Sequence, residues 1–98
     1  MKVELHPEVH SDILQIMEYY EESAGTELSG EFYSEFRHYA DLIGARPKSF
    51  PSYNSRLRRT NLDRFPHHIL YEMIDGQTVQ ILVVKHNRRH PSFGLGRR

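Results

Sequence analysis

Residues 62–91, LDRFPHHILYEMIDGQTVQILVVKHNRRHP, decide the fold. The stretch His67–Ile74 is rich in β-forming residues and ends at Asp75-Gly76, a dipeptide that strongly indicates a hairpin. Thr78–Lys85 is the most apolar run of the chain, as expected of a central strand in a sheet. The pattern therefore predicts a β-hairpin, followed by a basic segment that starts at His86.

The residues before this hairpin predict one more strand and two helices. Arg56–Leu62 mixes polar and apolar residues and follows a loop over 47–55 that is rich in Pro and Ser. Further upstream, apolar residues recur at helical spacing in two runs separated by Gly25. The first run follows Pro7 and the second follows Thr26, the expected N-cap. The apolar positions are Val9, Ile13, Ile16 and Tyr20 in the first run, and Leu28, Phe32, Phe36, Tyr39 and Ile43 in the second.

The first residues complete the predicted order of elements. Residues 2–5 alternate polar and apolar side chains, which predicts a short strand at an edge of the sheet. Gly44 and Pro47 are expected to end the second helix. The predicted order is β-α-α-β-β-β, an α+β fold in which a helical hairpin packs on a small antiparallel sheet. The length of 98 residues fits one domain over residues 1–98.

The net charge is zero, but the two halves of the chain differ in sign. Residues 1–45 carry 2 Lys/Arg and 10 Asp/Glu, a balance of −8, whereas residues 46–98 carry 11 and 3, a balance of +8. Part of this asymmetry is expected to be attraction between packed halves. The run Lys85–His90 is denser in cations than such pairing requires, which indicates a surface for an anionic or acidic partner.

Composition also limits the chemistry. The absence of cysteine excludes disulfides, thiolate catalysis and cysteine-based zinc sites. We expect no metal, because His86 and His90 are followed by Pro91 and have no third ligand nearby, and no other cofactor. No apolar stretch is long enough to cross a bilayer, and the first residues lack the apolar run of a signal peptide, so we expect a cytoplasmic protein.

Several short motifs then occur in a characteristic order. Arg58-Arg59 leads into the Leu-Asp-Arg-Phe-Pro segment at 62–66, then Ile69-Leu70-Tyr71, the apolar strand to Val84, and His-Asn-Arg-Arg-His-Pro at 86–91. This order resembles the RelE/ParE toxin superfamily over nearly the whole chain. The Arg-Phe-Pro and His-x-Arg-Arg-x-Pro segments are more similar to the ParE-like plasmid-stabilisation proteins of that superfamily.

The resemblance implies the toxin of a type II toxin–antitoxin system, which inhibits growth and is neutralised by a cognate antitoxin. ParE-like members are associated with inhibition of DNA gyrase, whereas RelE-like members are ribosome-dependent mRNA endonucleases. An inactive module that only binds antitoxin would show the same sequence features. Homo-oligomers and toxin–antitoxin hetero-oligomers are both compatible with the resemblance.

The site residues differ between these alternatives. A nuclease needs a base for the ribose 2′-OH, cations for the phosphate and an acid for the leaving oxygen. The candidate catalytic residues are His68, His86 and Arg88. The candidate target- or phosphate-binding residues are Arg58, Arg59, Arg64, Arg88, Arg89 and His90.

Two departures from the RelE-like pattern favour a ParE-like toxin. His68 stands three residues before Tyr71, where RelE-like members usually carry Arg. Phe93 stands in the region where their tail usually offers a Tyr, and a Phe side chain cannot transfer a proton.

Overall fold

The computed structural model describes all residues from Met1 to Arg98. The helices pack against one face of a four-stranded sheet with the strand order β1-β4-β3-β2. No helix combines the length and the apolar character that crossing a membrane requires. The predicted order is confirmed, with the elements β1 (Lys2–Leu5), α1 (Val9–Ala24), α2 (Thr26–Ala45), β2 (Leu57–Asn61), β3 (His67–Met73) and β4 (Thr78–His86).

The predicted α+β fold is confirmed with one correction, because β1 makes the sheet mixed rather than antiparallel. β1 lies at an edge, as predicted, but it runs parallel to β4, with Lys2 opposite Thr78. The helical hairpin returns the chain to the start of β1, where the Met1 ammonium donates to the Gly44 carbonyl oxygen at 2.7 Å. β2 starts at the same end of the sheet as β1. Because β2, β3 and β4 are antiparallel to one another in turn, β4 runs in the same direction as β1.

The sequence predicts the helix ends from three residues, Gly25, Thr26 and Gly44. Gly25 alone joins the helices, and its φ of 94° lies in the region that favours glycine. Thr26, the predicted N-cap, is instead the first residue of α2, and Gly25 takes the cap position. α2 ends at Ala45, between Gly44 and Pro47, so its predicted end is confirmed to within one residue. A Cβ at Gly44 would meet Val3 Cγ2 at 2.8 Å, so this glycine lets β1 approach the helix closely.

The main core lies between the helical hairpin and the sheet. Tyr71, the largest fully buried side chain, also donates its hydroxyl to the Pro47 carbonyl oxygen at 2.6 Å and so fixes the start of the loop after α2. Burial of such aromatic and aliphatic side chains supplies most of the stabilisation of a domain of this size. Fully buried members of this core include Val9, Phe32, Phe36, Ile43, Ile69, Val79 and Ile81.

The opposite face of the sheet, called here the open face, is partly covered by the C-terminal segment. We call residues 87–98 the tail. Phe93 and Leu95 of the tail pack on a smaller buried cluster formed by Leu57, Leu70, Leu82 and Val83. A register shift opposite Leu70 and Tyr71 leaves Leu82 without a partner, which lets both Leu82 and Val83 join this cluster.

A buried ion pair fastens the tail to α1 and β4. The Arg97 guanidinium donates to both carboxylate oxygens of Asp12, at 2.6 and 2.8 Å, and to the Leu82 carbonyl oxygen at 3.1 Å. The same carboxylate accepts the Val84 N–H at 3.1 Å. The hydrogen bond to Asp12 raises the pKa of Arg97 against the effect of burial. This arrangement satisfies the charges of both side chains inside the protein.

Candidate functional site

The open face carries a row of polar and basic side chains at the ends of three strands. His68 of β3 lies between Asn61 of β2 and Lys85 of β4 in the strand register. Because side chains alternate along a strand, Arg59 lies on the same face as Asn61, and its Nε donates to the Asn61 Oδ1 at 2.8 Å. The row contains no carboxylate, and its charged members are Arg59 and the buried Lys85.

His68 is enclosed within this row. Its Nδ1 lies 2.8 Å from Asn87 Oδ1, which assigns the proton to Nδ1, and its Nε2 is buried without a hydrogen-bond partner. Burial lowers the pKa of His68, and the charges of Arg59 and Lys85 lower it further, against the hydrogen bond that His68 donates to Asn87. The imidazole is therefore neutral at pH 7.

Lys85 is a buried lysine that holds the tail. Its Nζ donates to the carbonyl oxygens of Pro91 and Phe93, both at 3.0 Å. Burial lowers its pKa, with smaller contributions from Arg59, Arg97 and Arg89. The sequence places Lys85 at the end of the apolar strand, but its anchoring role depends on where the tail runs and was not predicted.

Two of the predicted target-binding arginines are occupied by contacts within the chain. Arg58 donates to the Phe50 carbonyl oxygen at 2.7 Å and so holds the loop before β2. Arg64 pairs with Glu31 of α2 at 3.2 Å and lies over the Phe65 ring. The Arg64–Glu31 pair is a direct contact between the acidic and basic halves, as the charge distribution predicts.

The other predicted target-binding residues remain accessible to different degrees. Arg59, Arg88 and Arg89 form no salt bridge with any carboxylate. The Arg89 guanidinium lies 4.0 Å from the centre of the Phe93 ring. His90 accepts the Ser92 N–H at its Nδ1, at 3.1 Å, so it shapes the turn of the tail. Among the predicted target-binding residues, the arginines without a salt bridge thus lie on β2 and in the first residues of the tail.

The three candidate catalytic residues do not share one face. His86 stands opposite His67 in the strand register, and the two rings lie 5.2 Å apart on the helix side of the sheet. His68 points to the open face, one position further along β3. Arg88 is exposed beyond the end of β4, and its backbone N–H donates to His86 Nδ1 at 3.0 Å.

His67 is a core histidine. Its ring packs against Tyr20 and Phe32, with centroid separations of 6.0 and 5.1 Å, and its Nδ1 has no hydrogen-bond partner. Burial lowers the pKa of His67 to about 4, with smaller contributions from the charges of His86 and His68. This ring is therefore neutral and inaccessible at pH 7.

An apolar groove of about 460 Å³ lies between α1, α2 and β1, and we call it the hairpin groove. Leu5, Leu14 and Tyr33 line it and are 47%, 44% and 40% exposed, respectively. The outer edge of β1 beside it has no partner strand. An exposed apolar groove next to a free strand edge is typical of a surface that binds another polypeptide.

Comparison with known proteins supports the fold. No protein-family model and no curated protein matches the chain. The chain has the same α+β fold as a chain of a solved structure entitled "Chromosomal ParDE TA system from P. aeruginosa", on which it superposes. The TM-score is 0.76 and the sequence identity 19%, with 88% of this chain and 95% of that chain covered. The fold implied by the sequence resemblance is thereby confirmed.

Proposed function

We propose that this protein is a ParE-like toxin of a type II toxin–antitoxin system, a cytoplasmic protein that acts on DNA gyrase. The fold it shares with a chain of a ParDE structure supports the class. The separation of the candidate catalytic residues supports a toxin that binds its target rather than cleaving RNA. His68 is enclosed on the open face, whereas His86 lies on the helix side.

The geometry of His68 is the main observation that favours a target-binding toxin over a nuclease. A general base must lie within hydrogen-bond distance of the proton that it removes. The His68 Nε2 atom is buried, and its Nδ1 is engaged by Asn87, so the imidazole cannot approach a ribose hydroxyl without rearrangement. The unpaired guanidinium groups of Arg59, Arg88 and Arg89 are suited to bind carboxylates or phosphates of a target.

The hairpin groove is the proposed binding site for the antitoxin. Its apolar lining suits one face of an amphipathic segment, and the free edge of β1 offers backbone hydrogen bonds to an added strand. His10, Arg37 and Asp41 also line the groove and offer polar contacts to such a segment. The groove and the cationic open face are separate surfaces, so binding of antitoxin and of target use different residues.

Induction of this protein alone in a bacterial host is expected to stop growth with intact mRNA and altered plasmid supercoiling. A variant that replaces Arg59, Arg88 and Arg89 with alanine is expected to inhibit purified gyrase at least about tenfold less, because contacts to charged groups contribute about 1.5–3 kcal/mol each. A variant that replaces Lys2, Arg46 and Lys48 with alanine, and so removes three exposed cations elsewhere, is the matched control.

Two other outcomes of the same induction would contradict this proposal. Rapid mRNA cleavage that His68→Ala, His86→Ala or Arg88→Ala abolishes in folded protein would identify a RelE-like endonuclease. Normal growth with confirmed soluble protein would leave an inactive module that only binds antitoxin.

Leu14→Glu is expected to weaken antitoxin binding by about 30-fold or more while growth arrest is retained. A buried apolar anchor in an interface commonly contributes about 2 kcal/mol, and Leu14 is exposed in the free protein, so the domain tolerates the change. Affinity is measured by calorimetry with purified antitoxin, and rescue of growth by co-expression. Ile74→Glu, at an exposed apolar residue after β3, is the control. Equal neutralisation of Leu14→Glu and the unmodified toxin would rule out the hairpin groove.

A further inference from the structure

A second cleft, of about 310 Å³, lies where the end of β4 meets α1 and the tail. It is distinct from the hairpin groove, with which it shares no lining residue. Its lining combines an aromatic residue and an amide from α1 with a histidine of β4 and a cation and an aromatic ring of the tail. These residues are Tyr19, Gln15, His86, Arg89 and Phe93.

The cleft exists because β1 is shorter than β4. β1 pairs with β4 only as far as Ile81, so the edge of β4 beyond that point faces α1 instead of a strand. Asp12 and Arg97 bind the backbone of Val84 and Leu82 along this edge. Asp12 is the only acid that lines the cleft, and its charge is neutralised by Arg97. The remaining charge of the lining is positive.

The aromatic residue on the α1 side is unusually accessible. Tyr19 is 64% exposed, the highest value among the large hydrophobic residues. The Tyr20 ring packs against it edge-on, at a centroid separation of 5.4 Å, which supports the Tyr19 ring from one side. A supported and exposed aromatic ring offers a surface on which a planar group can stack.

The polar groups of the cleft are held in place by neighbouring residues and keep atoms that can bind a ligand. The Arg89 guanidinium is held over the Phe93 ring and forms no salt bridge. Because His86 Nδ1 accepts the Arg88 N–H, the neutral ring carries its proton on Nε2 and can donate it. The Gln15 amide nitrogen bonds Ser11 at 3.2 Å, and its carbonyl oxygen is available to a donor.

We propose that this cleft binds one nucleotide, with the base stacked on Tyr19 and the phosphate bound by Arg89 and His86. Aromatic rings that stack bases beside arginines that bind phosphates are the usual means by which proteins hold single-stranded nucleic acid. The volume lies at the lower limit of ligand sites, which suits one nucleotide rather than a duplex. A carboxylate ligand would use Arg89 and His86 but not the exposed Tyr19 ring. This site goes beyond the proposed toxin function, with which it shares Arg89, and its test does not require toxin activity.

The test is an NMR titration of the full chain with 5′-AMP and with a four-residue single-stranded oligodeoxyadenylate. We expect saturable shifts centred on the side chains of Tyr19, His86 and Arg89. Tyr19→Ala should weaken binding at least about fivefold and Tyr19→Phe less than about twofold, because stacking needs the ring and not the hydroxyl. Arg89→Ala should weaken binding at least about fivefold, whereas Arg46→Ala, with the same change of charge, should have no effect.

The two probes distinguish the source of the nucleotide. Tighter binding of the oligonucleotide indicates a polymer, and equal binding indicates a free nucleotide. The proposal is overturned if neither probe gives saturable shifts, if Tyr19→Ala binds as well as the unmodified chain, or if Arg46→Ala and Arg89→Ala weaken binding equally. Tetraglutamate that binds more tightly than either nucleotide probe, and equally well to Tyr19→Ala, would also overturn it and would indicate an acidic peptide.

Discussion

Asp12→Ala is expected to lower the free energy of unfolding by about 3–5 kcal/mol, because it leaves a buried cation without its partner. Only 9% of the Arg97 side chain and 5% of the Asp12 side chain are exposed, so water cannot replace the lost carboxylate. The Val84 N–H loses its acceptor as well. This loss is a large part of the stability of a small domain, and urea unfolding at pH 7 measures it.

Two variants separate this effect from a general effect of charge. Glu8 also approaches Arg97, at 3.7 Å, but it is largely exposed, so Glu8→Ala should cost less than about 1 kcal/mol. In the double variant Asp12→Ala with Arg97→Ala no buried charge is left unpaired. Its destabilisation should be smaller than the sum of the two single changes. An effect of Asp12→Ala as small as that of Glu8→Ala would show that the tail is not fastened by this pair.

Acidification from pH 7 to pH 4 is expected to lower stability by up to about 3 kcal/mol through His67 alone. The pKa of His67 is about 4 in the folded protein, against an ordinary value of 6.5. The unfolded chain therefore binds the proton first, and the folded state loses stability as the pH falls below 6.5. The loss is nearly complete once the pH reaches about 4, where the folded state also takes up the proton.

His67→Phe isolates this contribution. A phenyl ring suits the contacts with Tyr20 and Phe32, and it removes both the titration and the unpartnered Nδ1. The free energy of unfolding should therefore fall between pH 7 and pH 4 by about 3 kcal/mol less in His67→Phe than in the unmodified protein. His38→Phe, at an exposed histidine, is the control and should keep the original difference. An unchanged difference in His67→Phe would mean that other groups carry the acid sensitivity.

Local patterns in the sequence predict the elements well, but not their long-range partners. Periodicity defines both helices, and the hairpin signal at Asp75-Gly76 defines β3 and β4, because these features depend on neighbours in the chain. The parallel pairing of β1 with β4 depends on where the helical hairpin returns the chain. Gly44 and Pro47 mark the end of α2 in the sequence, but only the packing against Val3 shows that Gly44 also lets β1 approach the helix closely.

The sequence likewise predicts only part of the candidate site. The sequence predicts the concentration of cations after residue 46, but which of them stay free depends on tertiary contacts such as Arg64–Glu31. The opposite orientations of His68 and His86 depend on the register shift opposite Leu70 and Tyr71, because the register next to the Asp75-Gly76 turn would pair His68 with Val84 and place His86 on the same face. The sequence signals the hairpin but not this shift. The anchoring of the tail by Asp12 and Lys85 had no signal either.

The distance along the chain between Asp12 and Arg97 also constrains how the protein is made. These residues are 85 positions apart, and β1 has its only strand neighbour in β4. Because synthesis proceeds from the N-terminus, both helices leave the ribosome before the sheet that covers them exists. Contacts between such distant residues also slow folding. The nascent chain therefore passes through a period in which β1, one wall of the hairpin groove, has no strand neighbour, so the groove takes its final form only after β4 has been made.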